Sequence, residues 1–128
     1  MKICTYRQGI KANFYIQSKG NYAGRPLKNP IANCFAVQTN TPLAYQICYC
    51  LFKMRVYEPF IHGTAVPFIT LKDVQNIIKE AFSKNYDEKK LKAIEQIQAI
   101  IEIELKKINT LKELEFTLSH KAYYENKS

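Results

Sequence analysis

The spacing of hydrophobic residues divides the chain into two parts with different expected secondary structure. In residues 1–60, short apolar runs alternate with polar loops, and segments 13–19 and 32–39 have the aromatic and β-branched character of strands. The intervening segment 20–30 has two Gly and two Pro in eleven residues, which predicts a loop. We therefore expect a small sheet in the N-terminal part of the chain.

Two helix starts follow the predicted strands. Thr41 and Pro42 fit the N-cap and the first helical position of one helix. Further on, Thr70 and Asp73 have the spacing of a capping box, with Asp in place of the usual Glu, and they introduce a second helix. Between these helices, segment 62–70 combines a Gly turn with a proline, which indicates a strand at the edge of the sheet.

From residue 87 onward, apolar residues recur every three or four positions and no Gly or Pro interrupts them. Seven steps span the 24 residues from Ile94 to Leu118, a mean of 3.4 residues per step. This is close to the 3.5-residue repeat of a coiled-coil seam, so a partner helix is expected. That partner could be a second copy, another subunit or the domain's own helices. The predicted oligomerisation residues are Ile94, Ile97, Ile101, Leu105, Ile108, Leu111 and Leu118.

These patterns predict an α+β protein with two parts. Residues 1–86 should form a small mixed sheet with packed helices, and residues 87–128 a long coiled-coil-like helix for dimerisation or partner docking. The spacing leaves open whether the C-terminal part is one helix or a helical hairpin.

Charge adds a functional expectation, because it is concentrated at one end of the chain. The net charge is +8, and residues 1–60 carry eight basic side chains and one acidic, which gives +7. The same 60 residues hold ten of the sixteen Phe and Tyr residues. Basic side chains among aromatics suit a polyanion with stackable bases, such as DNA. The alternative is a solubilising basic surface around an ordinary aromatic core.

The candidate nucleic-acid-binding residues lie mainly in and around loop 20–30. Asn21 and Tyr22 are the candidates for contacts to bases. Lys53 and Arg55 also lie near the predicted end of the first helix, where the helix dipole favours positive charge without any ligand. The candidates for contacts to phosphates are Lys11, Lys19, Arg25, Lys28, Lys53 and Arg55.

Motifs for catalysis or cofactor binding are missing from the sequence. The four cysteines have no C-x-x-C spacing, and there is no glycine-rich phosphate loop or G-x-S-x-G motif. Cys34 lies in an apolar strand pattern, which is typical of an inert buried thiol. No carboxylate lies close to His62 in the sequence to orient it as a general base. We therefore expect a non-enzyme without a metal or cofactor.

The location expected from the sequence is the cytoplasm. No N-terminal segment resembles a signal or transit peptide. The longest nearly apolar run, residues 43–52, is about half the length that a membrane span requires.

Two parts of the chain resemble a known family. The run TPLAYQICYCLFKMRVYEPFIHGTAVPFITLKDVQNI, which ends at Ile77, is similar to the end of a target recognition domain of type I restriction specificity subunits. The tail QIQAIIEIELKKINTLKELEFTLSHKAYY is similar to the spacer helix of those subunits, which pairs with a second such helix. The chain also resembles a group of small uncharacterised Bacteroidetes proteins, through Gly20, Gly24, Arg25, Pro26 and Leu27, and through Asn33, Cys34 and Phe35.

This resemblance implies a non-catalytic DNA-binding module equivalent to half of a restriction specificity subunit. Such a module would form a homodimer, or dock on a partner subunit, through its C-terminal helix. The alternative is a protein-interaction or scaffold protein that binds no nucleic acid, because a fold does not fix a function.

Overall fold

The computed structural model describes residues 1–125 and confirms the predicted α+β class with a long C-terminal helix. The last three residues of the predicted segment 87–128 lie outside the described residues. Within residues 1–125, four strands form one sheet and three α-helices follow it. The elements are β1 (Lys2–Thr5), β2 (Phe14–Gln17), β3 (Pro26–Leu27), β4 (Cys34–Gln38), α1 (Ala44–Lys53), a 3₁₀ turn (Glu58–Phe60), α2 (Leu71–Phe82) and α3 (Glu88–Tyr124).

The sheet has the strand order β1–β4–β2–β3, and each neighbouring pair is antiparallel. A mixed sheet was expected from the sequence. Of the connections between strands, only segment 18–25 joins two strands that are also neighbours in the sheet, β2 and β3. Parallel neighbours need a longer crossover, usually a helix, so a short connection of this kind favours antiparallel pairing.

The strand β2 is buried on both faces of the sheet. Phe14 and Ile16 belong to the main core, which also contains side chains of α1 and α2. Tyr15 belongs to a smaller cluster on the opposite face, where residues of the β1–β2 connection such as Ile10 pack against it. Successive side chains of a strand point to opposite faces, so this one strand joins the two clusters.

The helix α2 begins as the sequence predicted. The hydroxyl of Thr70 accepts a hydrogen bond from the backbone N–H of Asp73 at 3.3 Å. This bond satisfies one of the backbone donors that a helix leaves unpaired in its first turn. The helix buries Val74, Ile77 and Ile78 in the main core.

The helix α1 does not begin as predicted. Its N-cap residue is Leu43 and its first residue is Ala44, so the assignment of Thr41 as the N-cap was wrong. The Thr41 hydroxyl instead accepts a hydrogen bond from the hydroxyl of Thr39 at 3.0 Å. Leu43 has a left-handed backbone with φ 57°, which costs a non-glycine residue free energy.

Segment 62–70 pairs less extensively than the predicted edge strand would. Phe68 forms isolated antiparallel bridges with Lys19 and with His62. The backbone N–H of Ile69 also donates to the carbonyl of Ser18 at 3.0 Å. The segment therefore adds a few hydrogen bonds beyond the end of β2 and contributes no full strand.

The chain divides into two units, Met1–Leu91 and the residues from Lys92 onward. The boundary expected from the sequence lay between residues 86 and 87. The helix α3 is one continuous element of 37 residues, which answers the question of a single helix or a hairpin. At 1.5 Å per residue its length is roughly 55 Å. No helix within residues 1–125 has both the length and the apolar character needed to cross a membrane.

Close packing between a glycine and an aromatic ring fixes the β2–β3 loop. Gly24 has φ +96°, and a Cβ atom at this position would lie 2.6 Å from Cδ2 of Tyr57. Tyr57 is only 2% exposed, so its ring has little room to move. The backbone N–H of Gly24 donates to the carbonyl of Gln17 at 2.8 Å, which holds the loop against β2. Only glycine combines this backbone angle with this contact.

We therefore expect Gly24→Ala to destabilise the protein much more than Gly9→Ala. Gly9 has a similar φ of +94°, but no atom lies within 4 Å of the place that a Cβ would take. The Gly9→Ala variant therefore measures the cost of the backbone conformation alone. That cost is about 1–2 kcal/mol, and crowding against Tyr57 should add about 1–3 kcal/mol at Gly24. Urea unfolding of both variants and the wild-type protein measures the difference. Equal losses of stability would contradict the contact.

Candidate nucleic-acid interface

The structure brings three of the predicted nucleic-acid-binding residues together in one pocket. Asn21 comes from the β2–β3 loop, whereas Lys53 and Arg55 come from the end of α1. The pocket has a volume of about 460 Å³ and opens to the surface. Its lining residues are Asn21, Ala23, Phe52, Lys53, Arg55, Tyr57, Glu58 and Ile61.

The end of α1 positions Arg55 through a left-handed turn. The N–H of Arg55 donates to the carbonyl of Phe52 at 3.1 Å, and the N–H of Val56 donates to that of Leu51 at 3.0 Å. These two bonds define a Schellman motif, which usually has glycine at the position that Arg55 occupies. Arg55 has φ 57° there, so the chain accepts a conformational cost at this residue. Unfavourable backbone angles of this kind are concentrated at functional sites.

Beyond Arg55 the chain turns again and brings an acidic residue to the pocket. The N–H of Glu58 donates to the carbonyl of Arg55 at 3.2 Å, and Glu58 begins the 3₁₀ turn. Glu58 is the one acidic residue among residues 1–60. Together with Lys53 and Arg55 it gives the lining a formal charge of +1, since two positive charges and one negative charge are present.

The β2–β3 loop is ordered by Arg25. One terminal guanidinium nitrogen of Arg25 donates to Oε1 of Gln17 at 3.0 Å, and the guanidinium carbon lies 4.8 Å from the centre of the Tyr22 ring. The side-chain amide of Gln17 in turn donates to the carbonyl of Lys19 at 2.8 Å. Arg25 was predicted to contact phosphate, and its half-buried guanidinium also makes these contacts inside the protein.

The remaining predicted phosphate contacts lie outside the lining of the pocket. The ammonium group of Lys28 is 5.8 Å from the centre of the Tyr45 ring, and Lys19 pairs through its backbone with Phe68. Lys11 lies in the β1–β2 connection, where its carbonyl accepts a hydrogen bond from the side-chain amide of Gln38 at 2.6 Å. The eight predicted residues are thus divided between the pocket, the stacked pair of Tyr22 and Arg25, and three separate lysines.

Five residues of the pocket lining were not predicted from the sequence, and Tyr57 and Glu58 are the two of them with polar side chains. Burial raises the pKa of Tyr57 well above its ordinary value of 10.0, and a neighbouring thiol, Cys48, acts in the same direction. Burial also raises the pKa of Cys48, to about 12, with a smaller contribution from Cys50. Tyr57 and Cys48 are therefore neutral near pH 7 and belong to the main core. The only signal for Tyr57 was the abundance of aromatics among residues 1–60.

His62 has a carboxylate near it in the structure, which belongs to Asp73 and not to Glu58, the nearest acid in the sequence. Its Nε2 atom is 3.8 Å from Oδ2 of Asp73, which is longer than a hydrogen bond. The His62 ring also packs against Phe68, with 5.4 Å between the ring centres. Across residues 1–125, no three His, Cys, Asp or Glu side chains form a group that could hold a metal ion.

Six of the seven predicted oligomerisation residues are exposed on α3. Ile94 is half-buried, whereas Ile97 is 56% exposed and Leu118 is 58% exposed. Other apolar side chains of α3, including Ile103 and Phe116, are exposed as well. The exposed predicted residues are Ile97, Ile101, Leu105, Ile108, Leu111 and Leu118.

Comparison with known proteins assigns the chain to a family. A family model matches residues 3–121 of the 128 residues, so the chain belongs to this family, which is described as a family of unknown function (DUF6943). No curated protein and no solved structure matches the chain. The resemblance to type I restriction specificity subunits stays a prediction.

We expect Arg55→Gly to stabilise the fold, because glycine accepts the left-handed backbone at no steric cost. The gain should be about 0.5–1 kcal/mol in the free energy of unfolding. Lys53→Gly, two residues earlier at the last residue of α1, should instead lose up to about 0.5–1 kcal/mol, because glycine is unfavourable at a residue with a helical backbone. Urea unfolding of the two variants measures both the expected gain and the expected loss in the free energy of unfolding. A loss of stability in Arg55→Gly would show that the arginine side chain itself supports the fold.

Proposed function

We propose that this protein is a non-catalytic DNA-binding module, similar to half of a type I restriction specificity subunit, that assembles through α3. The observation that carries the proposal is the position of Arg55. The chain accepts a left-handed arginine where glycine would be less strained, and this residue lines a pocket with Lys53 and Asn21. Such a cost at a cation that lies beside a second cation is consistent with an anionic ligand.

Phosphate groups are the anions that suit this surface. Lys53 and Arg55 supply two cationic side chains from the end of one helix, and guanidinium groups can bind phosphate oxygens through two parallel hydrogen bonds. Asn21 has both a donor and an acceptor for base edges. Tyr22 is 56% exposed and offers a ring surface for stacking. Phosphate contacts would supply most of the affinity, and Asn21 and Tyr22 the selectivity.

The assembly partner in this proposal is a second copy of the chain. All charged side chains between residues 95 and 104 are acidic, namely Glu95, Glu102 and Glu104. All charged side chains between residues 105 and 112 are basic, namely Lys106, Lys107 and Lys112. Two helices that run in opposite directions would set each acidic block against the basic block of the other copy. Their exposed apolar residues would meet along the same contact.

A second candidate function is a protein-interaction or scaffold role without nucleic-acid binding. The observation that favours it is the exposed apolar surface of α3, since such surfaces commonly bind proteins. In that case the basic residues of the first 60 positions would only increase solubility.

The proposal includes a location in the cytoplasm. Cys4, Cys34, Cys48 and Cys50 are all free thiols, which is usual for proteins in a reducing compartment.

A titration with duplex DNA at two salt concentrations tests the nucleic-acid proposal. We expect binding that weakens steeply with salt, because phosphate contacts release counterions. Arg55→Gly should bind roughly tenfold more weakly, which is about 1.4 kcal/mol, although its fold is at least as stable. The log–log salt slope should also become shallower by about 0.9 for one lost phosphate contact.

The matched control is Lys79→Ala, which removes an exposed lysine of α2 that does not line the pocket. This variant should bind as the wild-type protein does. Absence of binding at low salt, or binding that does not depend on salt, would favour the scaffold role instead.

Light scattering after size exclusion tests assembly through α3 separately. The wild-type protein should elute with about twice the chain mass of 14.9 kDa. Changing Glu95, Glu102 and Glu104 together to Lys should weaken self-association roughly tenfold, because several exposed charge pairs become repulsive. Changing Lys106, Lys107 and Lys112 to Glu in the same chain should restore it. A wild-type monomer at all concentrations, or no restoration, would contradict this pairing.

A further inference from the structure

The pocket beside Arg55 has the size of a ligand site and a lining of both polar and apolar side chains. Its volume of about 460 Å³ far exceeds what one phosphate group occupies, and it falls within the range of roughly 300–1,000 Å³ that is usual for small-molecule pockets. Apolar side chains, among them Phe52 and Ile61, form one part of the lining. Polar and charged side chains, Asn21, Lys53, Arg55 and Glu58, form the rest.

The concave shape limits which nucleic-acid groups can enter. In a stacked duplex the bases lie inside the helix, so the duplex surface presents phosphates and groove edges only. A base can fill a protein pocket when it is unpaired or turned out of the stack, where it meets aromatic or apolar side chains and donates or accepts hydrogen bonds along its edge. The mixed lining of this pocket suits such a base better than it suits a bare phosphate.

The acidic residue in the lining points to one base in particular. A carboxylate only accepts hydrogen bonds, so Glu58 would repel a phosphate but can bind a base that presents donors. Guanine has two adjacent donors on its Watson–Crick edge, N1–H and the N2 amino group, and these match the two oxygens of a carboxylate. Adenine and cytosine present one amino group beside an acceptor, and thymine presents one N–H between two acceptors. Guanine is therefore the base that Glu58 favours.

We propose that this pocket takes a guanine nucleotide whose base is unpaired. Glu58 accepts hydrogen bonds from the guanine N1–H and N2 amino groups, and the Asn21 amide donates to O6. Lys53 and Arg55 bind the 5′-phosphate. This inference rests on the proposed nucleic-acid function and names the base that the site would select.

Titrations of the full-length protein with deoxyguanosine monophosphate, deoxyadenosine monophosphate and inorganic phosphate test the inference. The guanine nucleotide should bind roughly tenfold or more tightly than the adenine nucleotide, because adenine leaves the carboxylate facing a ring acceptor. Inorganic phosphate should bind more weakly than either nucleotide. Equal affinities for the two nucleotides, or no binding of the guanine nucleotide, would overturn the proposal.

Two variants identify the residues that are responsible. Glu58→Gln should bind the guanine nucleotide roughly tenfold more weakly than the wild-type protein does. Its affinities for the guanine and adenine nucleotides should then be similar. Arg55→Gly should lower the affinity for both nucleotides by the same factor, because it removes a contact to the phosphate that both nucleotides carry. Glu80→Gln, which neutralises an exposed acid of α2 outside the pocket, is the matched control and should change nothing. Unchanged guanine selectivity in Glu58→Gln would contradict the assignment.

The failure of this inference can be told apart from failure of the proposed DNA-binding function. If the protein binds duplex DNA with the expected salt dependence but has equal affinity for the two nucleotides, only the guanine pocket would be overturned. Selective binding of the guanine nucleotide without any duplex binding would overturn the DNA-binding module and support the pocket.

Discussion

The contact between Gly24 and the Tyr57 ring is the packing constraint that holds together the two segments of the candidate site. It joins the β2–β3 loop, which supplies Asn21, to the turn after α1, which supplies Arg55 and Glu58. The Tyr57 ring belongs to the main core, so the loop rests on a side chain that is itself fixed by packing. Without this contact the loop would lose its closest support against the core. The packing of the core and the shape of the pocket therefore depend on the same aromatic side chain.

The regular elements were largely predictable from the sequence, and the site was predictable only in part. The segments around β2 and β4, the cap of α2 and the long helix all follow from local residue patterns. The left-handed backbones of Leu43 and Arg55 could not be predicted, because leucine and arginine residues usually avoid this conformation. Lys53 and Arg55 were predicted from charge. That these two residues line one pocket with Asn21 and Glu58 depends on the turn after α1, which no local sequence pattern specifies.

The distribution of positive charge has a different meaning in the structure from the one it had in the sequence. Arg25 is engaged with Gln17 and Tyr22 and orders a loop. Lys28 and Lys53 lie close to the rings of Tyr45 and Tyr49. Several cations therefore contribute to local order through aromatic neighbours, as cation–π contacts do elsewhere. The mixture of basic and aromatic residues reflects this internal order as well as any contact with a ligand.

The short strand β3 has a consequence for how molecules of this protein can associate. It is only two residues long and contains Pro26, which has no backbone N–H to donate to a neighbouring strand. An edge of this kind is a poor template for adding a strand from another chain. Cross-β aggregation is therefore disfavoured at the β3 edge of the sheet.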